Sequence, residues 1–192
     1  DVHYFDDGNR GIIYIARYKG KKVAIKLKQP ESDAEDRMKN EGKMLELVNK
    51  HGMGPKFILA KPDMAVYEFV EGTYLKEWLP KAPKQKVKPL LKDLFEQGFK
   101  LDQLGWTKEE MHRPLTNAIV TKQNKVVLID WERSHQTKKP HNVTQLCQFV
   151  LSWKETLHKK GIKIVDKKLI ETAKAYKADP SQKTFKAVLA LI

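Results

Sequence analysis

The order of apolar and polar positions divides the chain into a strand-rich first part and a mainly helical second part. "GIIYIARY" (11–18) is apolar and β-branched, "KG" after it reads as a turn, and "KKVAIKLK" (21–28) alternates with a period of two. A helical pattern runs from Ala34 to about Asn49, with Met38, Met44, Leu45 and Val48 as its apolar positions, and "HGMGPK" ends it. "FILA" (57–60) and "MAVYEFV" (64–70) predict two further strands, and the polar, proline-punctuated stretch 71–89 predicts a connector carrying one short helix. Beyond it Leu90, Leu91, Leu94, Phe95, Leu101 and Leu104 mark a helix face closed by Gly105. "AIVTKQNKVVLID" (118–130) predicts an apolar hairpin around a polar turn. Another helix starts at Asn142, where Asn142 and Gln145 form a capping-box-like pair, and runs to Gly161. There is no internal repeat. The expectation is an α+β chain of two lobes, a β-rich N-lobe over 1–71 and a reduced, mainly helical C-lobe over 72–192, in a cleft-forming order.

Composition narrows the partners. A 41% hydrophobic and 32% charged chain of 192 residues is globular in profile, and no apolar run reaches the roughly 18 residues of a membrane span. No membrane partner is expected. The single cysteine, Cys147, excludes an internal disulfide and fits a reducing compartment, so a cytoplasmic location is expected. No signal peptide is visible, although the chain does not begin with Met and an upstream segment could have been trimmed. The net charge of +13 favours acidic partners, which keeps nucleic acid or ribonucleoprotein association open. Its lysines are scattered, however, with no arginine-rich block and no repeated basic–aromatic pattern, so the charge reads mainly as solvated surface. Histidine spacing offers no nitrogen–sulfur metal site.

Three constellations carry chemistry. In "KVAIKL" the alternation sets Ala24 and Lys26 on the face opposite Val23, Ile25 and Leu27. Glu41 falls inside the apolar stripe of the following helix, where an unpaired buried charge would cost about 3–5 kcal/mol. Either it pairs with Lys26 or it sits at the stripe's edge in water. In "GNRGIIY", Gly8 and Gly11 either let backbone approach a phosphate or simply form a hairpin turn. Third, a hairpin about Gln123 and Asn124 that pairs 122 with 125 would place Asn117 opposite Asp130. An amide oxygen and a carboxylate there would suit Mg²⁺, a hard cation; the alternative is a strand opening and a turn cap.

Taken in order, these features resemble the protein-kinase-like fold: Val23-Ala24-Ile25-Lys26 matches V-A-I-K, and Asp130-Trp131-Glu132 stands where D-F-G would. The likeness runs from about Gly8 to Asp130. More narrowly, "RPLTN", "IDWE" and "KPHNVTQ" look like a family of short archaeal serine/threonine kinases, distantly similar to RIO-type atypical kinases. The resemblance implies an ATP- and Mg²⁺-dependent phosphotransferase acting on a protein hydroxyl, its own included. Gly8 and Gly11 would cover the phosphates, Lys26 would contact them, and Glu41 would hold Lys26. Ala24 would pack on adenine, Tyr67 would be the gatekeeper, and the backbone at Glu68 and Val70 would bind the adenine edge. Asn117 and Asp130 would ligate Mg²⁺.

The chain also departs from that pattern. Five residues before Asn117, where the kinase loop carries its catalytic aspartate, stands His112. Two bases therefore compete: His112 itself, or Glu110 in a loop two residues longer, with Glu109 a weaker neighbour and Arg113 offsetting charge. With neither acting, the chain would be a non-catalytic nucleotide-binding pseudokinase. Glu132 replaces the D-F-G glycine, and D-W-E also resembles small-molecule kinases of the aminoglycoside-phosphotransferase type. Those carry a large helical acceptor lobe, whereas only sixty-two residues follow Asp130.

Overall fold

The computed structural model describes residues 2–8, 11–28 and 37–192. Asn9 and Arg10 of the glycine turn, and the segment 29–36 that includes the expected helix start at Ala34, lie outside the described residues. The fold is α+β, with seven helices and a five-stranded sheet among the described residues. It divides into two compact units, Asp1–Glu71 with Val127–Ser134, and Gly72–Val126 with His135–Ile192. No helix is long and apolar enough to cross a membrane among the described residues.

In the first unit β1 (Val2–Gly8), β2 (Gly11–Tyr18), β3 (Lys21–Lys28), β4 (Phe57–Lys61) and β5 (Met64–Glu68) form an antiparallel sheet of order β1-β2-β3-β5-β4. Its small core is Ala16, Val23 and Val66, with Ile25, Ile58, Leu59 and Met64 packed around them. On β3 the alternation has an inverted outcome: Lys26 is buried while Ile25 and Leu27 are only half-buried. Helix α1 (Arg37–Asn49) packs on β4 and β5 through Met38, Met44, Leu45 and Val48. Gly42 permits the approach, since a Cβ there would lie 2.5 Å from the Cβ of Ala60.

The second unit starts with β6 (Gly72–Tyr74), α2 (Leu75–Lys81) and α3 (Lys84–Gln103). The expected connector over 71–89 is thus a strand, a helix and the first six residues of α3. Pro83 occupies the N-cap position of α3 and makes no side-chain cap, while Pro89, its sixth residue, has no N–H for the Gln85 carbonyl. After β7 (Trp106–Thr107) and a loop come β8 (Ala118–Thr121), which pairs with β6, and β9 (Val126–Leu128). The Thr121 N–H donates to the Lys125 carbonyl and the Asn124 N–H to the Thr121 carbonyl, with Asn124 at φ +60°. This three-residue turn pairs 121, not 122, with 125, so the register used to place Asn117 opposite Asp130 does not hold at the turn.

Past β10 (His135–Gln136), the single helix expected from Asn142 to Gly161 is two: α4 (Asn142–Ser152) and α5 (Lys154–Lys159), broken at Trp153. Helices α6 (Asp166–Ala178) and α7 (Gln182–Leu189) complete the unit, with Phe99 of α3 stacked on Phe185 of α7 at 4.2 Å.

Candidate active site: a lysine among three carboxylates and a two-turn loop

In the first unit the Lys26 ammonium stands 2.7 Å from Glu41 Oε2, 2.9 Å from Asp130 Oδ1 and 3.0 Å from Glu132 Oε2. Each partner is delivered by a different local rule. Lys26 comes from the inward face of β3, and Glu41 from the apolar stripe of α1. Asp130 and Glu132 flank Trp131, which is fully buried and donates its Nε1–H to the Leu128 carbonyl at 2.9 Å. Anchoring the indole turns the two flanking carboxylates together toward the lysine. Asn40 on α1 then ties the segment down, its amide donating to the carbonyls of both Glu132 and Ser134 at 2.8 Å.

Three carboxylate oxygens lie within 4.8 Å of one another around one ammonium. Arg37 approaches Glu132 Oε1 no closer than 3.8 Å. Burial alone would depress the Lys26 ammonium, but Glu41, Asp130, Tyr67 and Glu132 hold it well above the ordinary lysine value. Burial raises the Glu41 carboxyl, and Asp130 and Glu132 add to it, against the opposing field of Lys26. The cluster therefore carries surplus negative charge in hard oxygen donors, the donor set a divalent cation such as Mg²⁺ prefers. Asp130 itself has φ +61°, in the left-handed region, which aspartate, like asparagine, enters more readily than most side chains.

The remaining first-unit residues are distributed around this cluster. Gly8 pairs with Gly11 across β1 and β2, and a Cβ on Gly11 would lie 2.8 Å from the Leu27 carbonyl oxygen and 3.3 Å from Lys26 Cγ. Glycine at 11 is thus required chiefly by the Leu27 carbonyl oxygen, with the lysine stem close behind it. Ala24 is buried opposite Tyr67, itself buried. Glu68 is ion-paired with Lys21, while its N–H donates to the Lys56 carbonyl at 2.8 Å. The Phe69 N–H donates to the Lys22 carbonyl, and Val70 follows half-buried outside the strand.

In the second unit "EEMHRPLTN" is both a turn and a candidate site. The Arg113 N–H donates to the Glu110 carbonyl and the Asn117 N–H to the Pro114 carbonyl, making two successive turns over a buried Met111. Glu110 takes φ +68°, and its Oε2 accepts from the Asn117 amide at 3.1 Å. Among the described residues only Lys19, Glu110, Asn124 and Asp130 have positive φ outside glycine. Two of these sit in hairpin turns and two are candidate site carboxylates, where backbone strain tends to collect. Arg113 is exposed, and Glu109 faces His135 Nδ1 at 3.6 Å.

The loop is fixed from below by the start of α4, in a way the capping-box reading missed. Asn142 does not cap its own helix. The carboxylate of Asp102, buried on α3, accepts from the Asn142 N–H, the Asn142 amide and the Val143 N–H, and so caps α4 from another helix. The Tyr176 hydroxyl donates to the same carboxylate at 2.8 Å. Asn142 Oδ1 is thereby free to accept the Lys108 N–H at 2.8 Å, and Gln145 Oε1 accepts the His112 N–H at 3.2 Å. Sequence reasoning passed over Asp102 although it has the signature that singled out Glu41, a carboxylate within a helix's apolar stripe.

Gln145 also fixes the histidine. A backbone N–H only donates, so the Gln145 atom facing it is oxygen; that oxygen lies 3.3 Å from His112 Nδ1 and only accepts. With hydrogen on Nδ1, His112 would donate to that oxygen and keep Nε2 clear of it. Cys147, buried on the same helix, has a thiol that burial pushes up to about 12, which makes it inert as a nucleophile. No protein-family model matches this chain, and no curated protein matches it.

Proposed function

We propose that the chain is an ATP- and Mg²⁺-dependent phosphotransferase with a bilobal protein-kinase-like fold, an atypical serine/threonine kinase. The observation that carries this reading is the buried Lys26 held by a helix glutamate at 2.7 Å and by Asp130 at 2.9 Å, on a five-stranded antiparallel sheet. In this role Lys26 neutralises phosphate charge, Glu41 orients it, and Gly8 and Gly11 bring backbone over the phosphates. Adenine packs on Ala24 beside Tyr67. Because the N–H groups of Glu68 and Phe69 are taken, its edge falls to the Glu68 carbonyl and the Val70 N–H.

Asp130 would hold Mg²⁺, with Asn117 contributing an amide oxygen and Glu132 a further carboxylate that the kinase pattern does not supply. The bound cation would draw charge from the transferred phosphoryl group. The chain's own residues do the rest: a base takes the acceptor hydroxyl proton as the new O–P bond forms and the bond to the departing ADP breaks. Glu110 and His112 are the two candidates, with Arg113 beside the transferred group. Glu132 next to Lys26 also keeps small-molecule acceptors in view.

Transfer of labelled γ-phosphate from ATP to the protein itself, to acidic and basic proteins and to small alcohols tests the reading. Asp130→Ala should abolish incorporation. Whichever of Glu110→Gln and His112→Ala falls further, by about 10²–10⁴-fold, identifies the base. Absence of turnover in the wild type at saturating ATP and Mg²⁺ overturns catalysis and leaves a nucleotide-binding protein.

A further inference from the structure

The second unit contains a cleft of about 870 Å³ formed by the loop, the segment entering α4 and the C-terminal end of α6. Lys138, Lys139 and Lys177 line it, all exposed, together with His112 and His141; its one carboxylate is Glu109, which faces His135. The cleft is thus strongly cationic, and four features restrict the anion it suits. Its cations are lysines, point charges without the fork that grips one phosphate or carboxylate bidentately. Two of the N–H groups at the start of α4, those of Asn142 and Val143, are taken by the Asp102 carboxylate, whose own charge opposes an anion at that helix end. No Phe, Tyr or Trp side chain lines it, so the rings a base would meet there are the imidazoles of His112 and His141. Its volume lies in the range of pockets that enclose small ligands.

We propose that this cleft docks an acidic segment of a polypeptide, whose spaced carboxylates meet the three lysines. His112, whose Nδ1 lies 3.3 Å from Gln145 Oε1, lines the same cleft. Docking stands without the phosphotransferase reading; only the further statement that this segment bears the acceptor hydroxyl rests on it.

Fluorescence anisotropy with the full chain tests the inference. The probes are a labelled peptide of alternating Glu and Ser, its Gln-for-Glu analogue, a short polyuridine and a short RNA duplex. The acidic peptide should bind and the Gln analogue should not. Affinity should fall about tenfold or more in Lys138→Glu/Lys139→Glu and in Lys177→Glu. It should hold in Lys122→Glu/Lys125→Glu, which lowers the net charge as much as the first pair does, from exposed lysines outside the cleft. Equal loss in the control, binding of the Gln analogue, or RNA binding tighter than the peptide's and lost in the cleft variants would each overturn it. With labelled ATP, phosphate appearing on the peptide's serine supports acceptor docking. Tight peptide binding without label keeps the docking site and removes the acceptor role.

Discussion

At the scale of single residues, Lys26 is the buried cation on which three carboxylates converge. Removing its ammonium leaves three carboxylates crowded together without their close cation, so Lys26→Met should cost about 3–5 kcal/mol near neutral pH. The sign of its pH dependence follows from Glu41, whose carboxyl is already raised in the folded state. A group that binds its proton more tightly when folded loses stability as pH rises through that window. Without Lys26 the shift is larger, so the deficit should shrink on going from about pH 7 to about pH 5, as urea unfolding would measure. A deficit that stays constant with pH would rule out carboxylate repulsion as its source. Glu41 was legible because it violates an otherwise regular apolar stripe, and Lys26 because it closes the Val23-Ala24-Ile25-Lys26 motif. Glu132 was visible only as a substitution in a motif, since nothing in a tripeptide says which way its side chains point. That orientation comes from Trp131.

At the scale of elements, the junction of α3 and α4 governs the loop. Asp102 receives only donors: two N–H groups, an amide and a phenol. Burial raises its carboxyl, but those donors favour the ionised form. Asp102→Asn therefore removes a costly charge yet sets an amide NH₂ among donors. It should destabilise by about 1–3 kcal/mol and loosen the loop, seen as faster hydrogen exchange at Lys108 and His112. A neutral or stabilising outcome would mean that the charge, and not the cap, dominates. The elements themselves were mostly readable, because strong period-two and helical patterns survive folding. Misreadings fell where one residue decides: Asn124 in the left-handed region lengthens the hairpin turn, and prolines at 83 and 89 sit at a helix start instead of in a connector. Neither choice is encoded in hydrophobic periodicity.

At the scale of the whole molecule, any ligand held by the lysine cluster adds its binding energy to folding. ATP with Mg²⁺ at about a hundred times its Kd should stabilise the wild type by about 2.7 kcal/mol. Asp130→Ala should lose most of the resulting rise in Tm, and a rise unchanged in that variant would place the nucleotide elsewhere. The +13 charge was plain in the sequence, whereas the meeting of three of its lysines at one cleft was not. Lys138 and Lys139 stand almost forty residues from Lys177, and only the packing of α4 on α6 relates them.

The amide of Asn40 has a mechanical consequence. It grips two carbonyls of the carboxylate segment at once, so α1 and residues 132–134 form one linkage. A displacement of α1 that carries Glu41 off Lys26 must either break both bonds or drag Glu132 along with it. The charged cluster therefore behaves as a latch and not as a dial, shut with all its members seated or open with the whole set released.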